Sequence, residues 1–125
     1  MKSQIDALRQ LTHELLYLGM DGEPIYADRF RQLNSDVYNQ AEALYQKKAR
    51  NDEEEATLCV TLLKAYSATI YDRGDKGGKV QILLDRSWEV LNKISDSLLK
   101  CQLLVVCYGA VSYTHLRAHE TSLHL

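Results

Sequence analysis

An excess of either charge is missing from this chain: 15 Lys and Arg stand against 17 Asp and Glu in 125 residues, a formal net charge of −2. Binding to phosphate backbones or anionic lipid needs clustered cations that displace counterions, so a basic nucleic-acid module is not expected. Long apolar runs are missing too. No stretch reaches the roughly 18 residues of a membrane span, and Met1-Lys2-Ser3 leads directly into an amphipathic pattern instead of a secretory h-region. A cytoplasmic, membrane-free protein is expected. Cysteine is scarce and odd in number: Cys59, Cys101 and Cys107 form neither an even disulfide framework nor a CxxC pair for zinc. Buried or reduced thiols are the simpler reading.

The last fifteen residues are set apart before any fold is read. Val111 to Thr121, VSYTHLRAHET, matches residue for residue one reading frame of a transposase-type sequencing adapter. Residues 1–110 are therefore expected to form the domain, and residues 111–125 to be an adapter-derived tail. That tail carries the chain's one imitation of a metal site, His115 and His119 four residues apart with Glu120 beside them. The order is HxxxHE where a zinc metalloprotease helix has HExxH, and no third ligand is evident, so no metal is expected.

In the remaining residues, apolar side chains recur every three or four positions and never alternate with the period of a half-buried strand. This predicts an all-α domain, a compact antiparallel bundle of about five helices. Ser3 is the expected N-cap of the first helix, whose buried stripe is Ile5, Leu8, Leu11, Leu15 and Leu18, and Gly19 is expected to end it in a left-handed conformation. A second helix is predicted from Ala27 or Asp28 to about Lys47 on Phe30, Leu33, Val37, Ala41 and Leu44; Asn34-Ser35-Asp36 is its weak point, and a break there is the alternative to one long helix. Asn51 with Glu54 caps a third helix, whose apolar face holds Ala56, Cys59, Leu62, Leu63, Tyr66 and Ile70. Asp72 to Lys79, DRGDKGGK, reads as a loop. A fourth helix starts near Lys79 on Val80, Leu83, Leu84, Trp88, Leu91 and Ile94, with Asp85, Arg86, Glu89 and Lys93 on its exposed face. Ser95 or Asp96 caps the fifth, Leu98 to Tyr108, which is apolar almost all round and so is expected between neighbours.

Chemistry is thin. Gly74 to Lys79 imitates a phosphate loop, but Lys79 is followed by Val80 where a Walker sequence has Ser or Thr. Asp52 to Glu55 is what a helix dipole favours in a first turn. His13 beside Glu14 has no nucleophile motif to serve. Tyr17, Tyr38, Tyr45, Tyr66 and Trp88 fall at helical spacing and are expected in the core or at its boundary. Tyr26 and Tyr71 instead flank the two best loops, where an aromatic can anchor a protein partner. No enzyme, cofactor or small-molecule substrate is expected; the class that survives is an interaction module.

Three runs carry a resemblance: LTHELLYLGMDGEPIYADRFRQLNSDVYNQAEALY, ATIYDRGDKGGKVQILLDRSWEVLNKI and SLLKCQLLVVCYGAV. Together they resemble the UpxZ family of small anti-terminator antagonists, most specifically through LLYLGMDGEPIYADRF and ATIYDRGDK. The resemblance implies a regulator that binds NusG-like UpxY anti-terminators of other capsular polysaccharide loci and represses their operons. A structural helical adaptor or oligomerisation module, with a fortuitous likeness, is the alternative. The expected partner contacts are Asp21, Glu23 and Tyr26 on the first loop and Tyr71, Asp72 and Arg73 on the second. Family members continue beyond the position of Ala110 with helical sequence, so the fifth helix is expected to lack part of its cover and to associate through Leu98 to Tyr108.

Overall fold

A computed structural model gives five α-helices: α1 (Lys2–Met20), α2 (Asp28–Tyr45), α3 (Asp52–Ala68), α4 (Lys76–Leu91) and α5 (Leu98–Leu123). It describes every residue except Glu23, Tyr26, Tyr71, Asp72, Arg73, His124 and Leu125, with side chains through Ala110. Among the described residues there is no strand.

The bundle is organised around α3. Among the described residues this helix packs against each of the other four, while α1 otherwise meets only α2 and α5 otherwise meets only α4. Helix direction follows from which side chains meet. Glu55, in the first turn of α3, pairs with Arg86 near the end of α4, so these two run antiparallel. Asn34, Tyr38 and Glu42 of α2 bond, in that order, to Ile70, Asp75 and Lys79, so α2 and α4 run the same way. The alternation places the α1–α2 and α3–α4 connections at one end of the bundle.

Encirclement explains why α3 is apolar on nearly every side. Leu58, Cys59, Leu62, Leu63, Ala65 and Tyr66 have no exposed surface, and each large aliphatic among them contributes roughly 1.5–3 kcal/mol by leaving water. The expected stripe of α1 is buried at Ile5, Leu8, Leu15 and Leu18, and that of α2 at Phe30, Val37, Ala41 and Leu44.

The helix ends required corrections. α1 begins at Lys2 with Met1 as its N-cap, and Ser3 lies inside the first turn. Starting earlier lets the Met1 carbonyl accept the Ile5 N–H at 3.0 Å, a backbone bond that replaces a serine cap. Gly19 stays helical; Gly22 takes the left-handed conformation, φ +82°, one residue beyond the Asp21 C-cap. α2 is one long helix as expected, running through its weak point at Asn34-Ser35-Asp36, where the Asn34 carboxamide accepts the Ile70 N–H of another segment. The Asn51 cap stands as expected, its side chain accepting the Glu54 N–H at 2.8 Å, while the Glu54 carboxylate reaches back to the Arg50 N–H at 3.0 Å. Four acidic residues fill that first turn of α3.

α4 starts three residues earlier than expected, drawing Lys76, Gly77 and Gly78 out of the loop and into its first turn. The Lys79 N–H closes that turn on the Asp75 carbonyl at 3.2 Å. Arg86 is not on the solvent face: it is partly buried against Glu55. Ser97, not Ser95 or Asp96, caps α5, accepting the Lys100 N–H at 3.2 Å. α5, expected between neighbours but short of part of its cover, is only partly covered. It rests on α3 and α4 through Leu103, Cys107 and Ala110, and leaves Leu98, Val105 and Tyr108 about two-thirds or more exposed, at 75%, 71% and 64%. Trp88 of α4, also half-exposed, meets Tyr108 edge to face at 6.3 Å on this open side.

Candidate protein-binding surface

The end of the bundle that carries the α1–α2 and α3–α4 connections holds two features. The first is a cleft of about 580 Å³ between the last turns of α1 and the first turns of α2. Leu18 and Leu33 are its apolar lining, with His13, Glu14, Arg29 and Asp36 of both charges around them. No serine, threonine or cysteine lines it, so His13 has no nucleophile there to activate. Tyr17 (66% exposed) also lines the cleft, and beside it the outer face of α1 carries exposed Leu16 and Met20 (87% exposed). Ile25, in the connection that follows, is also half-exposed.

Of the expected contacts on this loop, Asp21 is exposed at the C-cap of α1, its N–H bonded to the Tyr17 carbonyl at 2.8 Å. Glu23 and Tyr26 lie outside the described residues. So do Tyr71, Asp72 and Arg73 of the second loop.

The flanks of that second loop form the other feature. Thr69 caps α3, its hydroxyl donating to the Tyr66 carbonyl at 2.9 Å, and Ile70 follows it, half-exposed. Gly74 takes φ +90°, a conformation that a side chain would strain, and delivers the chain to Asp75. The Lys76 ammonium donates to the Thr69 carbonyl at 2.7 Å, drawing the two ends of the loop together.

A charged cluster backs this loop. The Tyr38 hydroxyl donates to one oxygen of the Asp75 carboxylate and Lys79 to the other at 3.0 Å, while Lys79 also reaches Glu42 at 2.8 Å and lies 5.4 Å from the centre of the Tyr45 ring. The Tyr38 and Lys79 bonds hold the Asp75 carboxyl below the usual carboxylate range. Partial burial works against the Lys79 charge, yet the bonds to Glu42 and Asp75 outweigh it and raise its pKa. This engagement also answers the phosphate-loop likeness, since the Lys79 ammonium is held by two carboxylates and not offered to an anion. Tyr66 stacks edge to face on Tyr38 at 5.6 Å, and its buried hydroxyl has no hydrogen-bond partner among the described residues. Burial pushes that phenol well up.

Several of these residues escaped the sequence reading. Tyr17, expected in the core or at its boundary, stands on the surface, and Ile70, expected on the buried face of α3, lies beyond the helix. Tyr17 and Met20 both fall off the stripe formed by Leu8, Leu15 and Leu18, a signal that was there to be read. Asn34 gave none, because its bond partner is 36 residues away. Among the described residues, no three of His, Cys, Asp or Glu come together as a metal site, and no helix is long and apolar enough to cross a membrane. His115, His119 and Glu120 fall outside the described side chains.

The model of the UpxZ family of transcription anti-terminator antagonists matches residues 5–109. The chain belongs to that family. It is also similar to the crystal structure of a transcription anti-terminator antagonist UpxZ from Bacteroides uniformis, with 38% identity and a TM-score of 0.76 over 97% of this chain and 74% of that one. No curated protein matches. As a UpxZ-family member it is tied to transcription regulation and to a protein target, so the likeness that the sequence suggested is not fortuitous.

Proposed function

We propose that this chain acts in the cytoplasm by binding NusG-like UpxY anti-terminators of other capsular polysaccharide loci, which represses transcription of those operons. The reading rests on family membership together with one structural observation: exposed Leu16, Tyr17, Met20, Ile25 and Ile70 gather at the bundle end that bears both connections. Aromatic and methionine side chains are the groups that anchor protein interfaces. The mixed charges of the cleft would supply discrimination, since a mismatched partner meets unpaired charge there. Asp21, Glu23, Tyr26, Tyr71, Asp72 and Arg73 remain the proposed loop contacts. Residues 1–110 carry the recognition, and residues 111–125 are adapter-derived and take no part.

The test is a binding titration of the purified chain against cognate and non-cognate UpxY proteins, with a Tyr17→Ala, Met20→Ala double variant beside it. Binding of the non-cognate proteins, weakened at least tenfold by the double substitution, supports the reading. Equal binding to every partner, or none, overturns it.

A further inference from the structure

Residues 34, 38 and 42 of α2 lie on one helical face, four positions apart; the first two grip the segment that joins α3 to α4, and the third grips the first turn of α4. The Asn34 carboxamide oxygen accepts the Ile70 N–H at 2.8 Å, at the start of the loop. The Tyr38 hydroxyl donates to Asp75 at the end of the loop, and Glu42 holds Lys79 one turn into α4. Asn34 and Tyr38 are themselves nearly inaccessible to solvent, at 3% and 2% exposure, so neither can touch a partner to any extent. A buried asparagine on a helix is unfavourable unless its amide is used, and here it is spent on a segment 36 residues away.

We infer that Asn34 and Tyr38 are positioning residues which hold Ile70 and Asp75, the two flanks of the α3–α4 connection, in place for a partner. The inference rests on the reading above, that this loop meets the anti-terminator. Flanks fixed before encounter lose less freedom on binding, so the clamp sets affinity without a contact of its own. The third rung keeps the geometry in register: with Tyr38 on one oxygen of Asp75 and Lys79 on the other, the carboxylate is fixed in two directions.

The test uses the full chain with Asn34→Ala, Asn34→Asp and Tyr38→Phe, and a non-cognate UpxY protein as the probe. Val90→Ala, in the buried part of α4, serves as a control for lost stability alone. Two quantities are read: amide hydrogen exchange over residues 70–75 in the free chain, and the dissociation constant for the probe. Asn34→Ala and Tyr38→Phe are expected to speed exchange in that loop and to weaken binding about tenfold, at unchanged helical content. Asn34→Asp, which keeps an acceptor oxygen, is expected to restore most of both. Val90→Ala lowers the melting temperature and leaves affinity alone. Unchanged exchange overturns the clamp itself. Faster exchange at unchanged affinity overturns its role in binding. A wild-type chain that binds no probe, while the variants still loosen the loop, locates the failure in the proposed function.

Discussion

Helices α3 and α5 look alike as sequence and differ as structure. Both are apolar on almost every side, yet α3 is enclosed by four neighbours while α5 leans on two and shows Leu98, Val105 and Tyr108 to solvent. Composition says that a helix wants cover; it does not say how many neighbours supply it. Packing does: among the described residues α3 lies against the helices of both flanking hairpins, whereas α5 lies against α3 and α4 alone. An exposed contiguous apolar face of this kind is uncommon on monomers and marks a place where association is favoured.

The contrast is sharpest for truncations. Leu62→Ala or Leu63→Ala in α3 is expected to lower stability by about 2–5 kcal/mol, measured from urea midpoints at constant slope. Leu98→Ala in α5 is expected to stay within about 0.5 kcal/mol, because its side chain is three-quarters exposed. Equal losses at both places would erase the distinction. Next in size is the N-cap of α3: Asn51→Ala should cost about 1 kcal/mol by leaving the Glu54 N–H without its acceptor. Tyr66→Phe should have a similar magnitude with the opposite sign, a gain of about 1 kcal/mol, since it removes a buried hydroxyl that has no partner among the described residues.

The cysteines divide the same way. Burial pushes the Cys59 thiol up to about 11 and raises that of Cys107, while Cys101 is exposed on α5. At pH 8 a thiol reagent should modify one cysteine per folded chain quickly and the other two only on unfolding. The buried neutral thiol of Cys59 favours the folded state fully below the ordinary thiol range. That contribution fades as pH climbs through about 11, so stability should fall on the alkaline side there. The smallest effect is expected from Val105→Asp, which should leave the melting temperature almost unchanged.

Most of the architecture was legible. Spacing of three and four located all five helices, and the stripes of α1 and α2 are buried where they were expected. Helix ends were less legible, because a backbone bond or one glycine further along competes on equal terms with a serine cap: Met1 displaced Ser3, and Gly22 displaced Gly19. The start of α4 was hidden by Gly77 and Gly78, which discourage helix by propensity alone but are carried by the closing bond from Lys79 to Asp75. The surface was legible only in outline. Turn residues marked both connections, and the Leu8, Leu15 and Leu18 stripe left Met20 off the buried face of α1, whereas the half-exposed Leu16 beside Leu15 gave no such signal. Asn34 was legible only as a blemish in α2, since its function is a long-range bond that no local pattern encodes.

Hydrogen exchange of the free chain against its complex with a non-cognate UpxY protein tests the account most directly. Protection confined to residues 13–25 and 69–75 is the expected result. Protection instead along residues 98–108 of α5, with the two connections unaffected, would contradict it.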